Sequence, residues 1–156
     1  MAHERAGLVA LESDLIDVDA VLAAYYDLTP DPSNPDQKVV FGTSGHRGSS
    51  LDTAFNDFHI AATTQAIVEY RSMQGVSGPL FIGKDTHALS LPAWRTAIEV
   101  LVANGVAIFA EQEDEYTPTP AVSRAIIRYN REHPEQVADG IVVTPSHNPP
   151  RDGGFK

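Results

Sequence analysis

"DGIVVTPSHNPPRDGGFK", Asp139 to Lys156, sets a short apolar run against a loop crowded with proline. Ile141, Val142 and Val143 are three consecutive apolar, β-branched residues, the mark of a strand covered on both faces. Pro145, Pro149 and Pro150 then restrict the backbone on either side of Ser146. A buried strand that delivers one hydroxyl into a stiff loop suits nucleophilic work. In sheets of such strands, ligands bind beyond the carboxyl ends, where the following loops gather.

The same pattern repeats upstream. "KVVFG" (38–42), "PLFIG" (79–83) and "VAIFA" (106–110) are expected strands, with "DGIVVT" (139–144) the fourth. Between them lie segments of helical period: "NDFHIAATTQAIVEYRSM" with Asn56 as N-cap, "SLPAWRTAIEVLVAN" with Ser90 as cap and Gly105 past its end, and "TPTPAVSRAIIRYNRE" with Thr119 as cap and Pro120 at the first helical position. Alternating strands and helices predict an α/β fold, a three-layer α/β/α domain with a mainly parallel or mixed sheet. Ahead of it, "DLIDVDAVLAAYYDL" places Leu15, Val18, Leu22 and Tyr25 or Tyr26 on one helical face, and the prolines of "TPDPSNPD" break that helix. Residues 1–37 are therefore expected to form a helical arm and loop, and residues 38–156 the domain proper.

Composition bounds the function. The 156 residues are 42% hydrophobic, about one domain's worth of core. A formal charge of -10 repels a phosphate polymer, which argues against nucleic acid as partner, so any bound anion must meet a local positive site. No stretch has the roughly 18 uncharged apolar residues of a membrane span, and "MAHERAGLVALESD" lacks the basic and apolar regions of a signal peptide, so no membrane partner is expected. The absence of cysteine excludes disulfides and thiolate metal sites and suits a cytoplasmic location.

The unusual residues sit in the loops after the four expected strands: "GTSGHRG", "GKDTHALS", "TPTP" and "TPSHNPPRDGG". A lone glycine-rich loop is most often a tight turn, but Arg47 among exposed amides makes "GTSGHRG" able to cradle an anion. "SHN" alone favours an Asx-turn cap. Adjacent side chains diverge on extended backbone and no "GxSxG" elbow exists, so a serine hydrolase with His147 as base is a weak reading. His46, His87 and His147 lie on three edge loops, yet loop histidines are more often hydrogen-bonded than metal-bound. Asp85 is expected to bond local backbone, and "EQEDEY" to be a solvated acidic turn.

Five segments in order, "FGTSGHRG", "GKDTHALS", "ANGV", "TPTPAVS" and "DGIVVTPSHNPPRDGGFK", resemble the first domain of the α-D-phosphohexomutase superfamily. They span Phe41 to Lys156. His46 and "PSHNPP" resemble the glucose-specific bacterial branch more than the glucosamine branch, whose first loop more often reads "GTDG". The resemblance implies a phosphoglucomutase-type reaction, interconverting glucose 1-phosphate and glucose 6-phosphate through a phosphoserine and a glucose 1,6-bisphosphate intermediate. It makes Ser146 the phosphorylated serine and, through its phosphate, a ligand of Mg2+. It places Ser44, Arg47 and His147 at the phosphate or sugar oxygens. Lys156, ten positions beyond Ser146, would be the general acid/base. A free lysine has a pKa near about 10.4, so that role needs neighbours that lower it.

Family members take further domains for the metal, the sugar and the distal phosphate. The chain is thus expected to be one domain of a multi-domain phosphohexomutase, inactive alone, with downstream domains of the same protein as partners, and Pro149 to Lys156 is expected to lack partners. A phosphomannomutase or other phosphohexomutase is the alternative substrate class. A non-catalytic anion-binding domain is the alternative of a different kind.

Overall fold

The computed structural model of the chain describes residues 5–113 and 115–156; residues 1–4 and Asp114 lie outside that range. Among the described residues, four α-helices and five strands follow in the order α1 (Val18–Asp27), β1 (His46–Ser49), α2 (Asp57–Gln74), β2 (Leu80–Lys84), α3 (Ser90–Ala103), β3 (Ile108–Ala110), α4 (Thr119–Glu132), β4 (Asp139–Val143) and β5 (Asp152–Phe155), with short 3-10 turns at Glu12–Asp14 and Pro35–Gln37.

The sheet is mixed, with strand order β1-β5-β4-β2-β3. β2 runs parallel to β3 and β4, whereas β5 is antiparallel to both β4 and β1. Alternation along the strands sorts the helices into two outer layers. Leu80, Ile82, Ile141 and Val143 join Ala93, Ala97 and Leu101 of α3 in the buried core. On the other face, Phe81 packs against Tyr129 of α4, and Gly83 and Gly140 lie under Val122 and Ile126. The chain is thus an α/β/α sandwich with a mixed sheet.

Two sequence expectations are corrected at the antiparallel edge. The expected strand at 38–42 does not form: Val39, Val40 and Phe41 are exposed, and Phe41 makes an isolated bridge to His46. The strand is instead His46–Ser49, which begins within the expected glycine-rich loop at 42–48. It wins because His46 and Ser49 are buried while β5 offers it a full ladder, from His46 opposite Phe155 to Ser49 opposite Asp152. The same ladder corrects the expectation that Pro149–Lys156 lacks partners. Gly153, Gly154 and Phe155 are buried, and Val142 and Lys156 exchange both backbone hydrogen bonds at 2.9 and 3.1 Å.

Smaller corrections have local causes. The buried face of α1 is Val21, Ala24 and Tyr25, while Leu15, Val18 and Tyr26 are exposed. The i, i+3, i+4 stripe carrying Tyr25 prevails because its ring meets Phe55 and its hydroxyl pairs with Thr96 Oγ1 at 3.0 Å. Asn56 does occupy the N-cap of α2, and its backbone N–H donates to His59 Nδ1 at 3.1 Å. Ser90 is not a cap: α3 begins on it, after Leu89, and its hydroxyl turns to Asp85. α4 starts one residue early, with Pro118 before Thr119. The acidic turn is not merely solvated. Buried Lys84 donates through Nζ to Glu111 Oε1 and to the Gln112 and Glu115 carbonyls, and its ammonium lies 4.6 Å from the Trp94 ring centre.

Candidate active site

Ser146 stands at the head of the β4–β5 loop with φ of 64°, in the left-handed region that a residue bearing a Cβ seldom enters. The loop holds it there through its own bonds. Asn148 N–H donates to the Pro145 carbonyl at 3.3 Å, Asn148 Nδ2 to Asp152 Oδ2 at 3.0 Å, and Asp152 N–H to the Pro149 carbonyl at 2.9 Å. The Ser146 N–H donates to Thr144 Oγ1 at 2.9 Å. Ser146 itself is an exposed residue.

The antiparallel return of β5 explains the lysine. Because Val143 is paired with Phe155, the residue after Phe155 comes back beside β4 and under the loop. Lys156 Nζ donates to Ser146 Oγ at 2.6 Å. Arg47 lies opposite Gly154 in the ladder, so its side chain shares the face of the β1–β5 ribbon that carries Lys156. Partial burial lowers the Lys156 pKa from its usual value, the Arg47 charge lowers it further, and Asp85 opposes the shift. Such a lysine is a better proton acceptor than a free one. Arg47 Nε is itself buried and finds no hydrogen-bond acceptor among the described residues. A hydroxyl, a softened ammonium and a guanidinium nitrogen without an acceptor together suit the transfer of an anionic group such as phosphoryl.

Glycine is required where the first loop meets this lysine. Gly45 has φ of 75°, and a Cβ there would run into the Phe155 carbonyl oxygen and lie 2.6 Å from Lys156 Cγ. Ser44, just before it, is exposed in the same bend, and His147 is exposed beside Ser146. The structure therefore gathers Ser146, Lys156 and Arg47 into one cluster, while Ser44 and His147 are exposed in the loops that carry its members. The three loop histidines do not assemble. His46 is buried, its Nε2 2.7 Å from the Ala54 carbonyl and its Nδ1 accepting the Val40 N–H, while His87 Nδ1 binds Asp85 at 2.8 Å.

The family model for phosphoglucomutase/phosphomannomutase, alpha/beta/alpha domain I, matches residues 38–156. The chain belongs to this family. Within the phosphoglucomutase/phosphomannomutase family it is 58% identical over 142 residues to a phosphoglucomutase of Komagataeibacter xylinus, covering 91% of this chain and 26% of that protein. It is 33% identical to a phosphomannomutase of Mycoplasma pneumoniae, over 77% of this chain and 22% of that protein, and 32% identical to a phosphoglucosamine mutase of Synechococcus, over 81% and 24%. The chain spans about a quarter of the length of these curated relatives.

The family reading implies Mg2+, and the residues present do not make a site for it. Among the described residues no group of three or more His, Asp or Glu is disposed to hold a metal ion. Asp85, the carboxylate behind the serine loop, is already committed: burial alone would raise its pKa, but hydrogen bonds from Ser90, Thr144 and His87 outweigh that and hold it below the usual carboxylate value. The sequence reading missed Thr144 and gave Asp85 a local role. The "KDTH" spacing announced the bond from His87 N–H to Asp85, at 3.0 Å, but nothing in it announced a partner 59 positions away.

Proposed function

We propose that this chain is the phosphoserine domain of a phosphoglucomutase, interconverting glucose 1-phosphate and glucose 6-phosphate through glucose 1,6-bisphosphate. The observation that carries the reading is the 2.6 Å hydrogen bond from Lys156 Nζ to Ser146 Oγ, made in a chain that is 58% identical over 142 residues to a phosphoglucomutase. In the phosphorylated form, the Ser146 Oγ–P bond breaks as a P–O bond forms to the free hydroxyl of the bound sugar phosphate. Lys156, uncharged at that moment, takes the proton of that hydroxyl and returns it to Ser146 Oγ. The reverse transfer, from the other phosphate of the bisphosphate, restores phosphoserine and releases the isomer.

Arg47, whose charge acts on Lys156 beside the serine, is assigned to the phosphoryl oxygens through its guanidinium. Ser44 and His147, both exposed, are assigned to phosphate or sugar oxygens. A magnesium ion would take from this chain the oxygen of Ser146, or its phosphate, and draw its other ligands from beyond these residues. Downstream domains of the same protein would supply those ligands and the rest of the sugar cleft, and these residues by themselves would be inactive. The absence of cysteine favours a cytoplasmic protein, and among the described residues no helix is long and apolar enough to cross a membrane.

The test is a coupled assay on the protein extended through its natural reading frame, with magnesium and glucose 1-phosphate, mannose 1-phosphate or glucosamine 1-phosphate, beside a Ser146→Ala control. Glucose 1-phosphate turnover that vanishes in the control is expected. Preference for another sugar would move the protein to that branch of the family, and no turnover of any would leave a non-catalytic anion-binding domain.

A further inference from the structure

Four donors converge on the side chain of Asp85, which the reaction above does not use. Its Oδ1 accepts from the Ser90 hydroxyl at 2.5 Å and the His87 backbone N–H at 3.0 Å. Its Oδ2 accepts from the Thr144 hydroxyl at 2.6 Å and from His87 Nδ1–H at 2.8 Å. The carboxylate is thereby the common acceptor of the β2–α3 loop and of the end of β4. His87 reaches further, with Nε2 3.3 Å from the carbonyl of Asn148 inside the serine loop.

The bond to Thr144 has a directional effect. A hydroxyl has one proton to give, and Asp85 takes that of Thr144. The oxygen of Thr144 is left as an acceptor, and the N–H of Ser146 meets it at 2.9 Å. That bond fixes the peptide entering Ser146, the residue whose φ of 64° turns its hydroxyl toward Lys156. Without a fixed acceptor the left-handed conformation loses its anchor on the β4 side, and an unanchored residue with a Cβ relaxes toward negative φ.

We infer that Asp85 is a positioning residue that acts through Thr144 to hold Ser146 in the left-handed conformation aligning its hydroxyl with Lys156. Its effect on turnover rests on the phosphotransfer reading above; its effect on the loop does not.

The experiment compares wild type with Asp85→Asn, Thr144→Val and Thr144→Ser in the protein extended through its natural reading frame. Asparagine puts an amide where two donors point, valine removes the hydroxyl at nearly constant shape, and serine keeps it. For Asp85→Asn and Thr144→Val, kcat is expected to fall roughly tenfold to a hundredfold, as for a reacting atom displaced by a fraction of an ångström, with KM little changed. Thr144→Ser should retain most of the rate, a rescue that a loss of packing alone would not give. In parallel, hydrogen exchange of the 144–148 peptide should accelerate roughly fivefold in the first two variants, the weight of one lost hydrogen bond, while the 139–143 peptide keeps its protection. If Asp85→Asn does not fold, the valine and serine variants carry the comparison.

Unchanged exchange in the serine loop overturns the inference, and so does an unchanged kcat in an active enzyme. Should wild type turn over none of the sugar phosphates, the phosphotransfer reading fails while the exchange measurement still decides the role of Asp85: acceleration upholds it and no change sinks it.

Discussion

The ammonium of Lys156 meets the hydroxyl of Ser146 at 2.6 Å although ten residues separate them, because β5 turns back antiparallel to β4 and pairs Phe155 with Val143. The cluster is a product of strand register. Moving β5 by one residue would reverse its faces, sending Lys156 toward the core and Phe155 to solvent. Phe155 is fully buried, so the hydrophobic demand of the core is what pins the lysine to the serine.

Replacing that lysine should separate chemistry from folding. Lys156→Met keeps the length of the side chain and removes the proton carrier, so turnover by the extended protein should fall by roughly 10²–10⁴. Lys156→Arg should not rescue it, since a guanidinium does not give up its proton near neutral pH. Steady-state kinetics and melting curves on both variants check this; activity within tenfold of wild type in Lys156→Met would remove the lysine from the mechanism.

Gly45 and Gly75 offer an internal comparison of backbone strain and close packing. Both have positive φ, but a Cβ on Gly75 meets open space, whereas one on Gly45 meets the Phe155 carbonyl and Lys156. Gly75→Ala should cost about 1 kcal/mol, the left-handed penalty alone. Gly45→Ala should cost about 3 kcal/mol, because the β5 backbone must also shift. Urea unfolding of the two variants measures the difference, and equal costs would mean that the first loop does not press on β5 as described.

The parallel part of this fold was legible in the sequence because β2, β3 and β4 are apolar runs between segments of helical period, a local signal. The antiparallel edge was not. "HRGS" and "DGGF" carry glycine and charge where strand patterns call for apolar residues, and they are strands because each supplies the other's ladder, a non-local cause. The site divides in the same way. Ser146 stood out through its prolines, and Lys156 through family likeness, but the line from Asp85 through Thr144 to Ser146 joins residues from two strand ends that only the sheet brings together.

Buried His46 should make the fold acid-sensitive. Burial lowers its pKa, partly offset by its bonds to Ala54 and Val40, with neighbouring His59 adding to the lowering. The unfolded chain, with an imidazole pKa near about 6.5, therefore takes up a proton before the folded one does. The contribution is complete above that pH and is lost as pH falls through the window below it, at up to about 1.4 kcal/mol per pH unit. Denaturant unfolding of wild type and His46→Gln between pH 7.5 and 5 checks this, on the expectation of a shallower slope in the variant; identical slopes would show that His46 does not titrate differently in the two states.

The arm before residue 38 should prove part of the core. The family model begins at Lys38, yet Val21 and Tyr25 of α1 are fully buried, Ser50 Oγ donates to the Val21 carbonyl at 2.7 Å, and Asn56 Nδ2 to the Ala24 carbonyl at 2.7 Å. Removing α1 would strip Ser50 Oγ of its acceptor, leave Asn56 Nδ2 only the longer bond to the Ser50 carbonyl at 3.4 Å, and open one side of Phe55. Tyr25→Phe, which loses the hydroxyl bond to Thr96, should cost about 1 kcal/mol, while Tyr25→Ala should cost about 3–5 kcal/mol through the cavity it leaves. Because Phe55 also lies against His46, 5.8 Å between ring centres, Tyr25→Ala should slow turnover as well as lower the melting temperature. A Tyr25→Ala protein with wild-type melting would show that α1 is a detachable arm, and that the domain is complete from residue 38.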